Sequence, residues 1–149
     1  MSRLNKAMPD ITLPTEIRLD IVTPDRLVAH DAVTAVTIHG KNGYLGILPG
    51  HAPLLTEIAP GSLEYTSSGA KHTLVVNWGF AEVLPDRVIV LAQSCERAEE
   101  IDVGRAEKAK ARAEERLKRF DDPAVDMERA REALRRATAR LETAHRLRE

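Results

Sequence analysis

The stretch "VTIHGKNGYLGIL", Val36 to Leu48, decides the fold. It places two runs of β-branched and aliphatic residues on either side of Asn42-Gly43, a dipeptide that supplies the positive φ angles of a tight hairpin. Two such runs around a turn are typical of paired antiparallel strands. The stretch therefore predicts β structure at the centre of the chain.

The same pattern extends outward from this hairpin. From Glu16 to about Ser94, short runs rich in Val, Ile, Leu and Thr are separated by turn residues at intervals of roughly 8 to 12, which predicts a β-sandwich or barrel. "IRLDI" alternates apolar and polar residues, so one face of that strand is buried. "TLVVNW" and "VIVLA" predict further strands, and "LPDRV", Leu84 to Val88, predicts a turn between them.

After Glu99 the period of the pattern becomes helical. Apolar residues recur at steps of three and four in two series, Ala106, Ala109, Ala113, Leu117 and Phe120, then Met127, Ala130, Leu134, Ala137, Leu141 and Ala144. Between the series, "DDPAVD" offers Asp122 as a helix cap and Pro123 as a first helical residue. So short a connection predicts an antiparallel two-helix hairpin, and its alanine-rich stripes predict a hairpin that is marginal by itself and able to change position.

The 149 residues therefore divide into three predicted parts. Residues 1–15 form a mobile N-terminal extension, residues 16–98 a β-sandwich domain and residues 99–149 a helical hairpin domain. Charge divides in the same way: residues 1–100 carry eight basic and twelve acidic groups, whereas residues 101–149 carry fourteen basic and eleven acidic groups. This asymmetry indicates two parts with different partners.

Several classes of function are disfavoured by what the chain contains. The lone Cys95 cannot form an internal disulfide, and we expect a packed, inert thiol there rather than a nucleophile. "GKNG" lacks the ending of a phosphate-binding loop, and no apolar run is long enough to span a membrane. Aromatic residues make up only 3% of the chain, which argues against a nucleic-acid partner. The histidines lack zinc-site spacing, so no metal is expected, the five being His30, His39, His51, His72 and His145.

The arginines of the helical part are arranged in rows. Arg129, Arg136 and Arg140 lie seven and four residues apart, which places them along one face of the second helix. Arg105 and Arg112 are seven apart on the first helix. Two facing rows of guanidinium groups can bind phosphate or carboxylate, although a solvated hairpin that merely covers the sandwich is an open alternative.

The ordered series "GYLGILPGHAPLL", "PGSL", "WGFAEV", "VIVLAQ" and "ERAEEIDVGRA" resembles the epsilon subunit of bacterial F-type ATP synthases. The resemblance runs from about Ile17 to Leu147. It implies an N-terminal β-sandwich of two five-stranded sheets, followed by a C-terminal antiparallel two-helix hairpin.

The resemblance also implies a nucleotide site. "IDVGRA", Ile101 to Ala106, is similar to the family's ATP-binding signature. The implied ligands are Glu96, Ile101, Asp102, Arg105, Ala106, Arg112, Arg129, Arg136 and Arg140. Asp102 has a second possible role, since a carboxylate at the start of a helix stabilises its N-terminus, and both roles can hold together. Hydrolytic machinery is not part of this site.

The loop within "GYLGILPGHAPLL" lies near the membrane ring in the family, so the resemblance implies ring contacts at Tyr44 and His51. The family commonly has an acidic residue where this chain has Tyr44, so aromatic contact replaces charge pairing there. The alternative for His51 is a structural histidine bonded to its own loop.

These expectations combine into a noncatalytic central-stalk rotor subunit of a proton-translocating synthase. Its implied partners are the gamma subunit, the membrane ring subunits and, through the C-terminal helices, the catalytic alpha/beta hexamer, whose ATP hydrolysis the helices inhibit. ATP is a regulatory ligand and no cofactor is required. The chain is expected at the cytoplasmic face of the bacterial inner membrane, peripheral and without lipid insertion. A free-standing nucleotide-sensing adaptor of the same architecture is the alternative.

Overall fold

The computed structural model describes residue 10 and residues 12–149. In chain order the strands are β1 (Ile17–Val22), β2 (Leu27–Val33), β3 (Ala35–Gly40), β4 (Gly43–Ile47), β5 (Leu54–Ile58), β6 (Gly61–Ser67), β7 (Ala70–Leu84) and β8 (Arg87–Arg97). A 3₁₀ turn, Ala98–Glu100, leads into helices α1 (Val103–Lys118) and α2 (Met127–Arg146). Most of the expected N-terminal extension, residues 1–9 and residue 11, lies outside the described residues.

The strands form a two-layered sandwich in which β7 and β8 belong to both layers. The first half of β7 pairs with β6, and its second half pairs with β5. One layer contains β2, β1, β5 and the halves of β7 and β8 nearest their shared turn, whereas the other contains β4, β3, β6 and the remaining halves. Counted in this way, each layer has five strand segments, and the fold class that the sequence predicted is confirmed.

β7 changes layers at Trp78 and Gly79. Both take a positive φ, 35° at Trp78 and 156° at Gly79, and a Cβ on Gly79 would lie 1.9 Å from the carbonyl oxygen of Leu91. Only glycine can bring the backbone of β7 this close to β8. The bend in β7 is therefore fixed by one residue.

The core of the sandwich is mainly aliphatic and buried. Ile17, Leu19 and Ile21 of "IRLDI" are each 0% exposed, so the predicted alternation is confirmed. The turn predicted at "LPDRV" lies between the end of β7 at Leu84 and the start of β8 at Arg87. The β3–β4 hairpin differs by one residue from the expectation: its loop is Lys41-Asn42, and only Gly43 of the Asn-Gly pair takes a positive φ, of 121°.

The two helices form the predicted hairpin, and α2 packs on the outer face of β6 and the first half of β7. The expected cap was wrong, because Asp126, not Asp122, accepts the backbone N–H of Arg129 and begins α2. Asp122 instead accepts the N–H of Ala124 within the connection, so Pro123 precedes the helix. Phe120 is 78% exposed, because α1 ends at Lys118 and Phe120 is no longer on its stripe.

No helix in residue 10 and residues 12–149 combines the length and the apolar character needed to cross a bilayer.

Candidate functional site

A cleft of about 380 Å³ lies between α1, α2 and the end of β8. Its volume falls within the range of small-molecule sites, about 300 to 1,000 Å³. The charged side chains that line it are those of Glu96, Glu100, Asp102, Arg105, Arg112, Arg136 and Arg140. Four guanidinium groups thus face three carboxylates, and the cleft carries a formal charge of +1.

Helical geometry brings these arginines together. Arg105 and Arg112 lie two turns apart on α1, and Arg136 and Arg140 lie about one turn apart on α2. Between the rows, the wall of the cleft consists of small side chains, Ala106, Ala109, Ala133 and Ala137. Alanine lets the helices approach closely while leaving room for a ligand beside the charged groups.

Arg140 pairs with Glu96 within this cleft. Its Nε donates to both carboxylate oxygens at 3.2 Å, and its Nη2 donates to Oε1 at 3.0 Å. Arg140 is 27% exposed and Glu96 is 36% exposed, so the pair is partly shielded from water. This forked contact joins α2 to β8 and orients one of the four guanidinium groups.

Asp102 begins α1. Its Oδ1 accepts the backbone N–H of Arg105 at 3.0 Å, which satisfies one of the unpaired donors at the helix start. The capping role proposed as the alternative is therefore present, and Asp102 also lines the cleft. Ile101 does not line it, because its side chain is buried against Val75 and Ala139 beneath α2.

Arg129 is the other candidate that the structure places elsewhere. It lies at the tip of the hairpin beside Arg116 and Arg119, one α2 turn after the Asp126 cap. The seven-residue spacing to Arg136 puts both on one helix face but also moves Arg129 about 10 Å along the axis. The structure thus brings together Glu96, Asp102, Arg105, Ala106, Arg112, Arg136 and Arg140, and leaves Ile101 and Arg129 outside the cleft.

Sequence reasoning missed Glu100, Ala109, Ala133 and Ala137 as lining residues. The alanines had a detectable signal: Ala109 and Ala137 belong to the predicted stripes, and Ala133 lies one position before Leu134 of the second stripe. Glu100 had none, because its place depends on the 3₁₀ turn that precedes α1.

Several arginines of α2 have partners within the chain. Arg131 pairs with Glu128 at 3.4 Å, and Arg136 is 4.0 Å from Glu132. The Cζ of Arg135 lies 5.9 Å from the centre of the Trp78 ring. Much of the positive charge of this helix therefore lies beside acidic or aromatic side chains of the same chain.

Tyr44 and His51 lie at different ends of β4. Tyr44 is 49% exposed and stacks on His39, with ring centroids 4.6 Å apart. His51 follows the strand in the loop, where its Nδ1 is 2.7 Å from the carbonyl oxygen of Ala52. The loop bond proposed as the alternative for His51 is therefore present in the structure, and the same loop is anchored by Gly50, whose N–H donates to Pro85 at 2.7 Å.

An exposed apolar row crosses the outer face of the layer opposite α2. Cross-strand pairing brings Leu27, Val22, Leu91 and Phe80 side by side in that order. Leu27, Leu91 and Phe80 are each more than half exposed. A contiguous apolar row on a solvent-exposed face is typical of a protein-binding surface.

Cys95 is a free, buried cysteine. Burial raises the pKa of the Cys95 thiol to about 12, so it stays protonated and unreactive near neutral pH. Within the same part of the chain, no group of three or more His, Cys, Asp or Glu side chains is arranged to hold a metal ion.

Comparisons with known proteins cover almost the whole chain. Residues 16–98 match the family described as "ATP synthase, Delta/Epsilon chain, beta-sandwich domain", and residues 99–145 match "ATP synthase, Delta/Epsilon chain, long alpha-helix domain". An ATP synthase epsilon chain of Nitratidesulfovibrio vulgaris is 50% identical over 125 residues, which cover 84% of this chain and 92% of that relative. An ATP synthase epsilon chain of Koribacter versatilis is 60% identical over 98 residues, or 66% of this chain and 69% of the relative.

Solved structures give the same match. A chain in the cryo-EM structure of the Euglena gracilis mitochondrial ATP synthase, which comprises OSCP, F1 and the c-ring, superposes with a TM-score of 0.81 at 28% identity. The superposition covers 97% of this chain and 91% of that one. A chain of the Tetrahymena thermophila central stalk and c-ring superposes with a TM-score of 0.56 at 13% identity, which is evidence of a shared fold alone.

Proposed function

The chain belongs to the delta/epsilon family of ATP synthase subunits, and we propose that it couples the gamma subunit to the proton-driven membrane ring. It is a noncatalytic, epsilon-type subunit of the central stalk. We further propose that its hairpin binds ATP and restrains ATP hydrolysis by the catalytic alpha/beta hexamer. It would then work at the cytoplasmic face of the bacterial inner membrane, peripheral to the bilayer. Matches to stalk subunits over most of the chain favour this function over a free-standing adaptor.

The observation that carries the ATP proposal is the convergence of four arginines from two helices on one cleft. Guanidinium forks suit phosphate oxygens, and the carboxylates of Glu96 and Asp102 can accept hydrogen bonds from an amino group. The cleft requires both helices, so ATP binds only while the hairpin is closed. At ten times its dissociation constant, ATP would favour the closed form by about 1.4 kcal/mol, or roughly tenfold.

Titration calorimetry with ATP tests this site. Arg136→Ala and Arg105→Ala should each weaken binding while circular dichroism shows the helices unchanged. Arg131→Ala is the matched control, because Arg131 is an exposed arginine of the same helix that pairs with Glu128 outside the cleft. Equal ATP affinity in all four proteins would remove the nucleotide site from the proposal.

For the gamma subunit we propose the exposed apolar row of Leu27, Val22, Leu91 and Phe80 as the docking surface. It lies away from the hairpin, so gamma can bind whether the hairpin is closed or not. Leu91→Glu should abolish co-purification with gamma, because it places a charge in the middle of the buried contact. Lys108→Glu, on the exposed side of α1, should leave co-purification unchanged.

Tyr44 and His51 remain the proposed ring contacts. Tyr44 is about half exposed, and His51, although bonded to its own loop, is also accessible in part. Cross-linking from cysteines placed at the two positions, in a complex that retains the ring, tests them separately. A ring adduct from neither position would withdraw this assignment and leave the gamma surface untouched.

Regulation of hydrolysis is tested in a reconstituted complex. A chain that ends after Glu100 lacks both helices and should permit faster ATP hydrolysis at low ATP than the full chain. The difference should shrink at high ATP, because ATP would hold the hairpin closed. If full and shortened chains gave equal rates at every ATP concentration, the hairpin would have no regulatory role.

A further inference from the structure

The C-terminal end of α2 is tied to the sandwich by Arg146. Its Nη2 donates to the Tyr44 hydroxyl at 3.3 Å, and its Cζ lies 5.2 Å from the centre of the Tyr44 ring. Its Nη1 lies 3.7 Å from Oε1 of Glu64. One guanidinium group therefore makes a cation–π contact, a hydrogen bond and an ion pair with two different strands.

The sandwich side of this contact is fixed in advance. The Tyr44 ring stacks on His39, whose Nδ1 donates to the carbonyl oxygen of Pro60 at 2.9 Å. The Tyr44 hydroxyl is also 3.3 Å from Oγ of Ser62. Because the ring is already oriented by β3 and β6, Arg146 loses little of its binding free energy to ordering its partner.

Among the described residues, two ion pairs join α2 to the sandwich, Arg140 with Glu96 and Arg146 with Glu64. They lie six residues apart, about 9 Å along the helix. The first lies inside the cleft and the second outside it. An anion that recruits Arg140 would weaken the first tie and leave the second intact.

We propose that Arg146, Tyr44 and Glu64 form a latch. This latch keeps α2 docked on the sandwich while an anion in the cleft draws Arg140 away from Glu96. It rests on the proposed function only in that the position of the hairpin is the regulated quantity. Loss of the latch shifts the equilibrium toward a released hairpin without unfolding the sandwich.

Trp78 provides an internal reporter for the test. It is the single tryptophan of the chain, it lines the groove beneath α2, and Arg135 of α2 lies over its ring. Release of α2 exposes the indole to water and shifts its emission to longer wavelength. The full chain is studied without nucleotide or partner, so failure of the latch and failure of the proposed function are separate outcomes.

The decisive variant is Arg146→Gln, with Arg148→Gln as the matched control, because Arg148 is an exposed arginine two residues further on. Hydrogen exchange of α2 amides should accelerate about tenfold in Arg146→Gln, because this variant loses both an exposed ion pair and a cation–π contact. Tyr44→Leu should give a smaller acceleration, about threefold, because the pair with Glu64 remains. Emission of Trp78 should move with the exchange rate in each variant.

Equal α2 exchange and equal emission in the wild type, Arg146→Gln and Arg148→Gln would overturn the latch. Faster exchange in Arg146→Gln that extended equally into β1 would also overturn it, because this would show global destabilisation. Acceleration confined to the hairpin supports it.

Discussion

The sandwich and the hairpin of this subunit bury very different side chains. The core between the two layers consists of large aliphatic residues with no exposed surface, such as Leu19, Ile38 and Leu74. The seam between the helices consists mainly of alanines, such as Ala113 and Ala137. At about 25 cal/mol per Å² of buried apolar area, the sandwich core stabilises its domain far more per residue than the helix seam stabilises the hairpin.

The contact between the two parts contains buried polar groups beside a small apolar cluster. Ser62, Thr73 and Asn77 are buried on or near the sheet face that α2 covers, and Thr143 of α2 bonds to its own helix at the carbonyl oxygen of Ala139. These groups can bind water when the helix leaves. From this difference we expect the hairpin to open at a lower free energy than the sandwich.

The largest expected effect tests the sandwich. Gly79→Ala places a Cβ 1.9 Å from the Leu91 carbonyl oxygen, and should reduce the free energy of unfolding by about 4 kcal/mol or more. Gly46→Ala, where a Cβ meets nothing within 4 Å, should change it by no more than about 0.5 kcal/mol. Urea denaturation of both variants measures the difference, and equal midpoints would mean that the layer crossing does not control stability.

Removal of the hairpin tests whether the two parts are independent. A chain that ends after Glu100 should still unfold cooperatively, at a cost of about 1.5–3 kcal/mol from exposure of Val75, which is 0% exposed in the full chain. Thermal and urea unfolding followed by circular dichroism provide the measurement, with the full chain as reference. A gradual transition would show that the sandwich depends on the helices for its fold.

Overpacking the helix seam should affect the hairpin alone. Ala137→Leu adds three carbon atoms at a site that is 1% exposed, so it should destabilise the hairpin by about 1–3 kcal/mol. Hydrogen exchange should accelerate in α1 and α2 but not in β1 or β8. Ala124→Leu, in the exposed connection, is the control, and acceleration throughout the chain would contradict two separate levels of stability.

The smallest effect concerns Cys95. Its pKa is raised from 9.0 to about 12 chiefly by burial, so the folded protein should not react with iodoacetamide at pH 8, whether or not the hairpin is present. The unfolded thiol ionises first as the pH rises above 9, so the stability that this group contributes is present below that pH and declines toward pH 12. Rapid alkylation of the native chain would show that the core near β8 opens.

Local patterns in the sequence were sufficient for the elements of the fold. Alternation identified β1, and helical spacing identified α1 and α2, because both patterns follow directly from which face is buried. The cap at Asp126 was missed because "DDPAVD" contains three aspartates, and the Asp122-Pro123 pair favoured the earlier position. The crossing of β7 and β8 between layers was not visible either, since a long strand and two short ones have the same alternation.

The cleft was predictable only in part. The spacing of Arg136 and Arg140 placed them correctly on one face, but the same argument included Arg129, because periodicity gives direction around a helix and says little about distance along it. The contact between Arg146 and Tyr44 joins residues 102 positions apart, and no local pattern could have revealed it.

The two strands shared by both layers also have a mechanical meaning. β7 and β8 pair in the same antiparallel register on both sides of the bend at Trp78 and Gly79, from Leu74 with Arg97 to Leu84 with Arg87. Because both strands run from one layer into the other, one layer cannot slide over the other without distorting the backbones of β7 and β8 at this bend. In the coupling role proposed above, torque that entered the sandwich through one sheet would reach the other along the covalent chain, and the domain would turn as a stiff coupling rather than a compliant one.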